Sequence, residues 1–139
     1  MSHNVKCTWK GKMAFEADIT GHKIMIDTGE NAGGENRGPI PKPLILVALA
    51  GCTGMDVTSL LKKMRVEIKD FNLQVNGDLS EEHPKYYTRI HLVYEFTGKD
   101  LDKDKIEKAV KLSQEKYCGV NYMLRKATEM DYEIVYNEI

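Results

Sequence analysis

The sequence has few cysteines, and no two of them lie close together along the chain. Its three cysteines are an odd number, so they cannot make a complete set of disulfide bonds. There is no CxxC pair and no HxxxH pair, so the spacing predicts neither a metal site nor another cofactor. The disulfide framework of small secreted domains is therefore excluded.

An excess of one charge is also missing. Twenty Lys and Arg against 21 Asp and Glu give a net charge of -1, with no basic footprint for a nucleic acid or an anionic membrane. No apolar signal segment is visible, and the longest apolar run, Pro43 to Cys52, is about half the ~20 residues that a bilayer needs. We therefore expect a cytoplasmic protein without nucleic-acid or membrane partners. In that reducing compartment, paired cysteines are more often catalytic or metal-binding than structural.

What the chain does contain is an ordered succession of strand-like and helix-like segments. Its 139 residues have the size of one domain, spanning residues 1–139. Alternating apolar and polar residues predict a meander of three strands near residues 5–9, 13–19 and 22–26. An aperiodic loop rich in Gly, Asn and Pro follows at residues 27–42, and a loop of this length is usually functional or mobile.

Helical and strand patterns alternate over the rest of the chain. Pro43 opens a long helix that we place from about Pro43 to Met64. The elements predicted after it are strands at 66–77 and 86–97, an amphipathic helix at 102–116, a short helix from near Cys118, and a strand at 132–136. This order is typical of an α+β fold.

The front half of the long helix is apolar on all sides, which predicts that it is buried on all sides. One small sheet and a short helix pair can hardly cover such a helix in a chain of this size. A second subunit would supply the missing surface. We therefore expect an obligate homodimer in which central helices pack together and sheets wrap around them.

Two of the cysteines lie in hydrophobic, helix-like sequence. Cys52 lies in PLILVALAGCTGMDV and Cys118 in EKYCGVNYML. If the two helices converge, these thiols can form a reversible dithiol/disulfide pair of the kind that handles peroxides. Cys7 instead alternates with Val5 and Trp9, and we expect it to be a core residue of a strand.

Three segments of the sequence resemble the OsmC/Ohr family of thiol peroxidases: PxPLILVALAGCTGMDV, the hairpin EEHPKYYTRIHLVYEFTG, and KYCGVNYML. The resemblance runs from about Gly33 to the C-terminus and is closest to an OsmC-like branch. It implies an intertwined α+β homodimer with antiparallel sheets wrapped around long central helices. It also implies that Cys52 attacks an organic hydroperoxide and that Cys118 resolves the product as a disulfide, which an external dithiol reduces.

The chemistry implied for Cys52 needs a positive charge nearby. A peroxidatic cysteine reacts as a thiolate, and apolar surroundings disfavour the charged form. The predicted cation is Arg37 in the Gly-rich loop. Many family members orient the arginine with a glutamate just after the proline that precedes the long helix. Here Lys42 follows Pro41, so Glu30 or Glu35 must substitute, the arginine is positioned by other means, or the activity is weak.

Cys118 is expected to begin a helix, where unpaired N–H groups favour a thiolate. A lowered thiol pKa there would make it a good leaving group when the disulfide is reduced. Asp56, one helical turn after Cys52, can share its face, and its negative charge would oppose thiolate formation.

An apolar substrate pocket is expected around the two cysteines. The predicted lining residues are Met55, Tyr117, Tyr122 and Met123. Gly51 and Gly54 bracket Cys52, and they either open access to its sulfur or simply allow close helix packing.

The sequence thus predicts thiol-dependent reduction of organic hydroperoxides through a Cys52/Cys118 couple. Two alternatives stay open. The first is a non-catalytic protein that binds a hydrophobic ligand in the dimer cleft, which the missing glutamate favours modestly. The second is a structural dimer whose cysteines are core residues. The sequence identifies neither the physiological hydroperoxide nor the reducing partner.

Overall fold

An antiparallel meander forms the first of two units into which the chain divides, Met1–Ile45 and Leu46–Ile139. The computed structural model describes all 139 residues. The meander consists of β1 (Lys6–Trp9), β2 (Phe15–Ile19) and β3 (His22–Ile26), paired in that order. Gly11 and Gly21, both at positive φ, lie in the tight turns between the strands, where glycine meets no steric penalty. The predicted three-strand meander is therefore confirmed.

The prediction that Cys7 is a core residue is wrong. All four residues of β1 are exposed, Cys7 among them. The strand lies at the edge of its sheet and pairs only with β2. An alternating pattern indicates which residues share a face, but it does not show whether another element covers that face.

The second unit combines a three-stranded sheet with three helices. Its elements are α1 (Leu44–Lys63), which begins in the last two residues of the first unit, then β4 (Asp70–Leu79), β5 (Tyr87–Gly98), α2 (Lys103–Leu112), α3 (Gly119–Leu124) and β6 (Glu129–Glu138). The α+β class is confirmed, and α1 matches its predicted bounds to within one residue at each end. That the whole chain forms one domain stays a prediction.

The sheet of the second unit is mixed, which corrects the expectation of antiparallel sheets. The strand order is β4-β5-β6, with β4 antiparallel to β5 and β6 parallel to β5. The chain between β5 and β6 contains α2 and α3, and a helical crossover of this kind returns the chain to the same end of the sheet. Cys118 lies in this crossover, between α2 and α3.

The core lies between α1, α2 and one face of the sheet. Residues spaced by four along α1 are buried: Leu49, Thr53, Val57 and Leu61. Every second residue of β5 faces them, and Ile90, Leu92, Tyr94 and Phe96 are fully buried. The spacing of four on the helix and of two on the strand is what brings these two faces together.

Only one face of α1 is buried within the chain, although the sequence predicts burial on all sides. Val47 is 63% exposed and Met55 is 77% exposed. By length and composition α1 is apolar enough to cross a membrane, a test that core helices of soluble proteins also pass. Large apolar side chains exposed along one face of a helix are typical of an interaction surface.

The predicted amphipathic helix at 102–116 is shorter than expected. Its α-helical part ends at Leu112 and continues as one π-helical turn, Ser113–Tyr117. The turn closes with a hydrogen bond of 2.9 Å from the Cys118 N–H to the Ser113 carbonyl. Such π-turns are rare and occur frequently at functional sites. This one places Cys118 in extended backbone directly before α3.

Candidate functional site

Two thiols and a carboxylate meet where α1 passes the π-turn. The Sγ atoms of Cys52 and Cys118 and a carboxylate oxygen of Asp56 all lie within 4.8 Å of one another. Cys52 and Asp56 are four residues apart on α1 and therefore share its face, as the sequence predicts. The structure thus brings together the two cysteines that the sequence analysis singled out.

Cys118 is the more deeply buried of the two thiols, at 3% exposure. It is the N-cap of α3, and its Sγ accepts a hydrogen bond of 3.4 Å from the Asn121 N–H. Its placement at a helix start is confirmed, but the expectation of a low pKa is wrong. Burial, together with the nearby Cys52 and Asp56, raises the pKa of the Cys118 thiol to about 11. One N–H at the start of a six-residue helix does not offset this loss of solvation.

A chain of buried hydroxyl groups fixes the carboxylate in this cluster. Thr53 Oγ1 lies 2.7 Å from the Tyr94 hydroxyl and 2.8 Å from Ser113 Oγ. Ser113 Oγ donates to Asp56 Oδ2 at 3.0 Å, and Gln114 Nε2 donates to the Tyr94 hydroxyl at 2.5 Å. These hydrogen bonds connect α1, β5 and the π-turn, so residues of three elements hold the side chains around the site in place.

The chain of hydroxyls has a fixed direction, because each hydroxyl carries one proton. The proton of Ser113 is committed to Asp56, so Thr53 must donate to Ser113. Tyr94 must then donate to Thr53, and burial raises the pKa of Tyr94, which keeps its proton in place. Every donor in the series therefore points toward the carboxylate of Asp56.

The same hydrogen-bond network extends through Gln114 and Asn121 to Cys118. Asn121 Nδ2 donates to Gln114 Oε1 at 2.7 Å, and the Asn121 N–H is the group that contacts the Cys118 sulfur. Asn121 is 2% exposed, and no buried side-chain nitrogen or oxygen in the chain is left without a partner. The backbone around Cys118 is therefore held by a fully satisfied polar network.

The predicted substrate-binding residues fall into two groups. Met55 and Tyr117 line a cleft of about 250 Å³ with Asp56 among its walls. A second cleft of about 540 Å³ runs along the other side of Met55, past Gly51, Gly54, Phe71 and Leu73. Tyr122 and Met123 are exposed and line neither cleft, and the Tyr122 ring instead faces the cations of Arg125 and Lys126.

The two glycines beside Cys52 differ in their surroundings. A side-chain carbon at Gly54 would come within 3.1 Å of Leu73, so Gly54 permits close packing of α1 on the sheet. At Gly51 the same position is open. A side chain at Gly51 would thus meet no neighbour within the chain, whereas Gly54 has a packing role.

Arg37 lies in the loop of the first unit, and this loop is organised by Asp27. The carboxylate of Asp27 accepts hydrogen bonds from the N–H groups of Thr28, Glu35 and Arg37, at 2.7, 3.2 and 3.1 Å. These bonds, that of Thr28 first, hold the pKa of Asp27 below its usual value. The Arg37 guanidinium donates to the Lys10 carbonyl at 3.3 Å. Its approach to Cys52, which belongs to the other unit, stays a prediction.

Neither glutamate that the sequence offered as a substitute contacts Arg37. Glu35 lies 3.8 Å from the amine of Lys12, and Glu30 forms no ion pair. Arg37 is therefore positioned by two hydrogen bonds without a salt bridge: its backbone N–H donates to the Asp27 carboxylate, and its guanidinium donates to the Lys10 carbonyl. Asp27, at 3% exposure, is identifiable in the sequence as the polar residue that directly follows the third predicted strand.

Sequence reasoning missed most of the polar network. Thr53, Ser113, Gln114, Asn121 and Tyr94 are common residue types and show no motif spacing. Only the positions of Thr53 and Ser113 are informative, because both residues lie on the core-facing side of a helical pattern. A hydroxyl at such a place must find a buried partner, but the sequence does not show which one.

The family model described as OsmC-like protein matches residues 33–133. Protein YhfA of Escherichia coli strain K12 is 38% identical over 130 residues, covering 91% of this chain and 94% of that protein. A hypothetical protein from Aquifex aeolicus VF5, known from its crystal structure, is 32% identical over 99% of both chains, with a TM-score of 0.85. OhrB of Bacillus subtilis, an organic hydroperoxide resistance protein, is 20% identical over 96% of this chain and 98% of that chain and shares the fold, with a TM-score of 0.68.

The raised pKa of Cys118 predicts how this thiol responds to pH. With a pKa of about 11, roughly one Cys118 in ten thousand is a thiolate at pH 7. Its alkylation in the reduced protein should accelerate about tenfold per pH unit up to about pH 10. Asp56→Asn should increase the rate at pH 8, because it removes a negative charge that opposes the thiolate. Peptide mapping after iodoacetamide treatment measures both rates, and a rate that levels off below pH 9 would contradict the assignment.

Proposed function

The chain belongs to the OsmC family, and on this premise we propose that it reduces organic hydroperoxides through a Cys52/Cys118 dithiol–disulfide couple. The observation that carries the proposal is the approach of the two sulfur atoms to within 4.8 Å. A disulfide requires the sulfur atoms to come to ~2.05 Å and the Cα atoms to lie within about 7 Å of each other, and we propose that movement of the two side chains closes the remaining gap. Family membership supports a redox role for the site.

The proposed reaction uses one thiol to attack and the other to resolve. The Cys52 thiolate attacks the distal peroxide oxygen, the O–O bond breaks, and the leaving alkoxide takes a proton to become an alcohol. Cys52 is now a sulfenic acid. Cys118 attacks the Cys52 sulfur, hydroxide leaves with the proton of the Cys118 thiol as water, and the disulfide forms. An external dithiol then supplies two electrons and two protons to restore both thiols.

We propose that the substrate's organic part binds in the apolar cleft of about 540 Å³, which is lined by Gly51, the residue before Cys52. The lining of this cleft by Gly51, Met55 and Phe71 suits an organic hydroperoxide with an apolar tail. We also propose that the protein works in the cytoplasm, where dithiol reductants are present.

A second function, binding of a hydrophobic ligand without catalysis, is favoured by one observation. The resolving thiol is buried beside a carboxylate, and its raised pKa slows any step that needs its thiolate. The cleft of about 540 Å³ would hold such a ligand whether or not Cys52 reacts. The two functions differ in what happens to the thiols when a hydroperoxide is added.

Formation of the disulfide is the decisive prediction. After one equivalent of cumene hydroperoxide, the reduced protein should lose two hydrogens and yield a linked Cys52–Cys118 peptide in mass spectrometry. Cys52→Ser should abolish turnover and leave Cys118 reduced. Cys118→Ser should react once and then accumulate sulfenic and more oxidised forms of Cys52. Cys7→Ser is the matched control and should change neither step. If both thiols stay unmodified after prolonged exposure to the hydroperoxide, the peroxidase function is refuted and binding of a hydrophobic ligand is the function that fits.

We also propose that the protein is a homodimer through the uncovered face of α1. Val47 and Met55 are apolar and mostly exposed within one chain. Burying such surface is worth about 25 cal/mol per Å² of apolar area, which favours a second copy over solvent. The family resemblance implies the same intertwined assembly.

The dimer predicts a specific effect of charge on α1. Sedimentation at micromolar concentration should show dimer alone for the unaltered protein. Val47→Asp should dissociate or unfold it, because a carboxylate would enter an apolar interface unpaired. Lys99→Asp, at an exposed polar position, should leave the dimer intact. A stable folded monomer of the unaltered chain would contradict the proposed homodimer.

The role proposed for Arg37 can be tested by reactivity. If its guanidinium faces Cys52, it favours the thiolate, and Arg37→Ala should slow alkylation of Cys52 at neutral pH by about tenfold or more. Lys42→Glu should speed peroxide turnover by restoring a carboxylate that can orient the arginine. Arg89→Ala, on the exposed face of the second sheet, is the control. Unchanged alkylation in Arg37→Ala would assign the activating charge to another residue.

A further inference from the structure

We propose that Cys52, Asp56 and Cys118 form a binding site for a thiophilic divalent cation of the Zn²⁺ class. Two sulfur atoms and one oxygen, all within 4.8 Å of one another, are the donor atoms. The sequence predicts no metal site because it contains no CxxC or HxxxH pair. The fold assembles this donor set instead from a helical Cys-x3-Asp pair on α1 and one cysteine from the distant crossover.

The spacing of the donors fits a tetrahedral ion. Zinc–sulfur bonds of ~2.3 Å and zinc–oxygen bonds of ~2.1 Å place neighbouring ligand atoms about 3.4–3.8 Å apart. From their upper limit of 4.8 Å, the three donor atoms need to close by at most about 1.0–1.4 Å. Positions i and i+4 on a helix also hold the two histidines of many zinc enzymes.

The donors are oriented by hydrogen bonds of the kind that surround metal ligands. Ser113 Oγ donates to the Asp56 carboxylate at 3.0 Å, and behind it the directed series from Tyr94 and Thr53 fixes Ser113. The Asn121 N–H donates to the Cys118 sulfur at 3.4 Å. Such outer partners hold ligands in place and typically contribute 10–100-fold to metal affinity.

A cation also relieves an electrostatic conflict in the cluster. Three acidic groups share one half-buried space, and each negative charge there disfavours the next. A divalent cation offsets two of these charges. Paired thiolates select zinc-like ions over Mg²⁺ and Ca²⁺, which prefer oxygen.

The site keeps room for a fourth ligand. Asp56 lines the cleft of about 250 Å³ that opens past Met55 and Tyr117, so water can complete a four-coordinate ion. The same cleft provides an entry path. Metal binding and the Cys52–Cys118 disulfide exclude each other, because each uses both sulfur atoms. The cation would thereby hold the pair reduced and inactive toward peroxide.

The experiment titrates Co²⁺ into the fully reduced protein without oxygen or peroxide. One Co²⁺ per chain should bind, with a thiolate-to-cobalt charge-transfer band and the strong visible bands of tetrahedral cobalt. Zn²⁺ should displace it stoichiometrically. Cys52→Ser and Cys118→Ser should each lower the charge-transfer intensity by about half or abolish binding. Asp56→Asn should weaken binding at least about tenfold, as even outer partners do.

Two controls separate this site from adventitious binding. Cys7→Ser removes the exposed thiol, and Asp70→Asn removes an exposed carboxylate; neither should alter the titration. Loss of the cobalt bands in Cys7→Ser, or no tetrahedral spectrum in the reduced unaltered protein, would overturn the proposal. Protein oxidised beforehand to the disulfide should not bind. Because the titration involves no hydroperoxide, cobalt binding without disulfide formation would refute only the proposed peroxidase function.

Discussion

The hydroxyl of Thr53 is the contact on which the geometry of the site depends. It is fully buried on α1 and lies within hydrogen-bond distance of a residue on β5 and another on the π-turn. Each of these partners would lose a buried hydrogen bond without it, at a cost of about 1–3 kcal/mol per unsatisfied group. The π-turn in turn delivers Cys118, so one side chain of α1 sets the distance of the second sulfur from the first.

The sequence carried more information about elements than about contacts between them. The bounds of α1, the N-terminal meander and the convergence of Cys52 and Cys118 follow from periodicity and from the family resemblance. The π-turn does not, because Ser113–Tyr117 continues the helical pattern of α2 and only the hydrogen bond to Ser113 reveals the extra residue. The parallel pairing of β5 and β6 is also not predicted by the sequence, since an alternating pattern does not show in which direction a strand runs beside its neighbour. Exposure of Cys7 depends on what covers β1, which periodicity does not encode.

The pKa of the Cys118 thiol is raised, whereas its position at the start of a helix predicts a lowered pKa. The sequence places this thiol at an N-terminus, where a partial positive charge favours a thiolate. The structure adds burial, a second thiol and a carboxylate, and these outweigh one N–H contact. A helix of six residues offers a weak dipole, whereas desolvation acts on the whole group. The position of a residue on an element therefore did not determine its charge state; the groups from other elements did.

Each of the two units contains acidic groups, and the two units stabilise negative charge in different ways. In the first unit, Asp27 is buried, but three backbone N–H groups satisfy it, so its charge is supported. In the second unit, Cys52, Asp56 and Cys118 share a space in which a single hydroxyl series supports the carboxylate and one N–H supports one thiol. The second arrangement is short of positive charge. A cationic side chain, a bound metal ion or the uncharged disulfide would each remove that shortage, and these three states cannot all coexist at one pair of sulfur atoms. A site built in this way is suited to change its occupancy with redox conditions, because oxidation of the thiols removes both the negative charge and the donors that attract a cation.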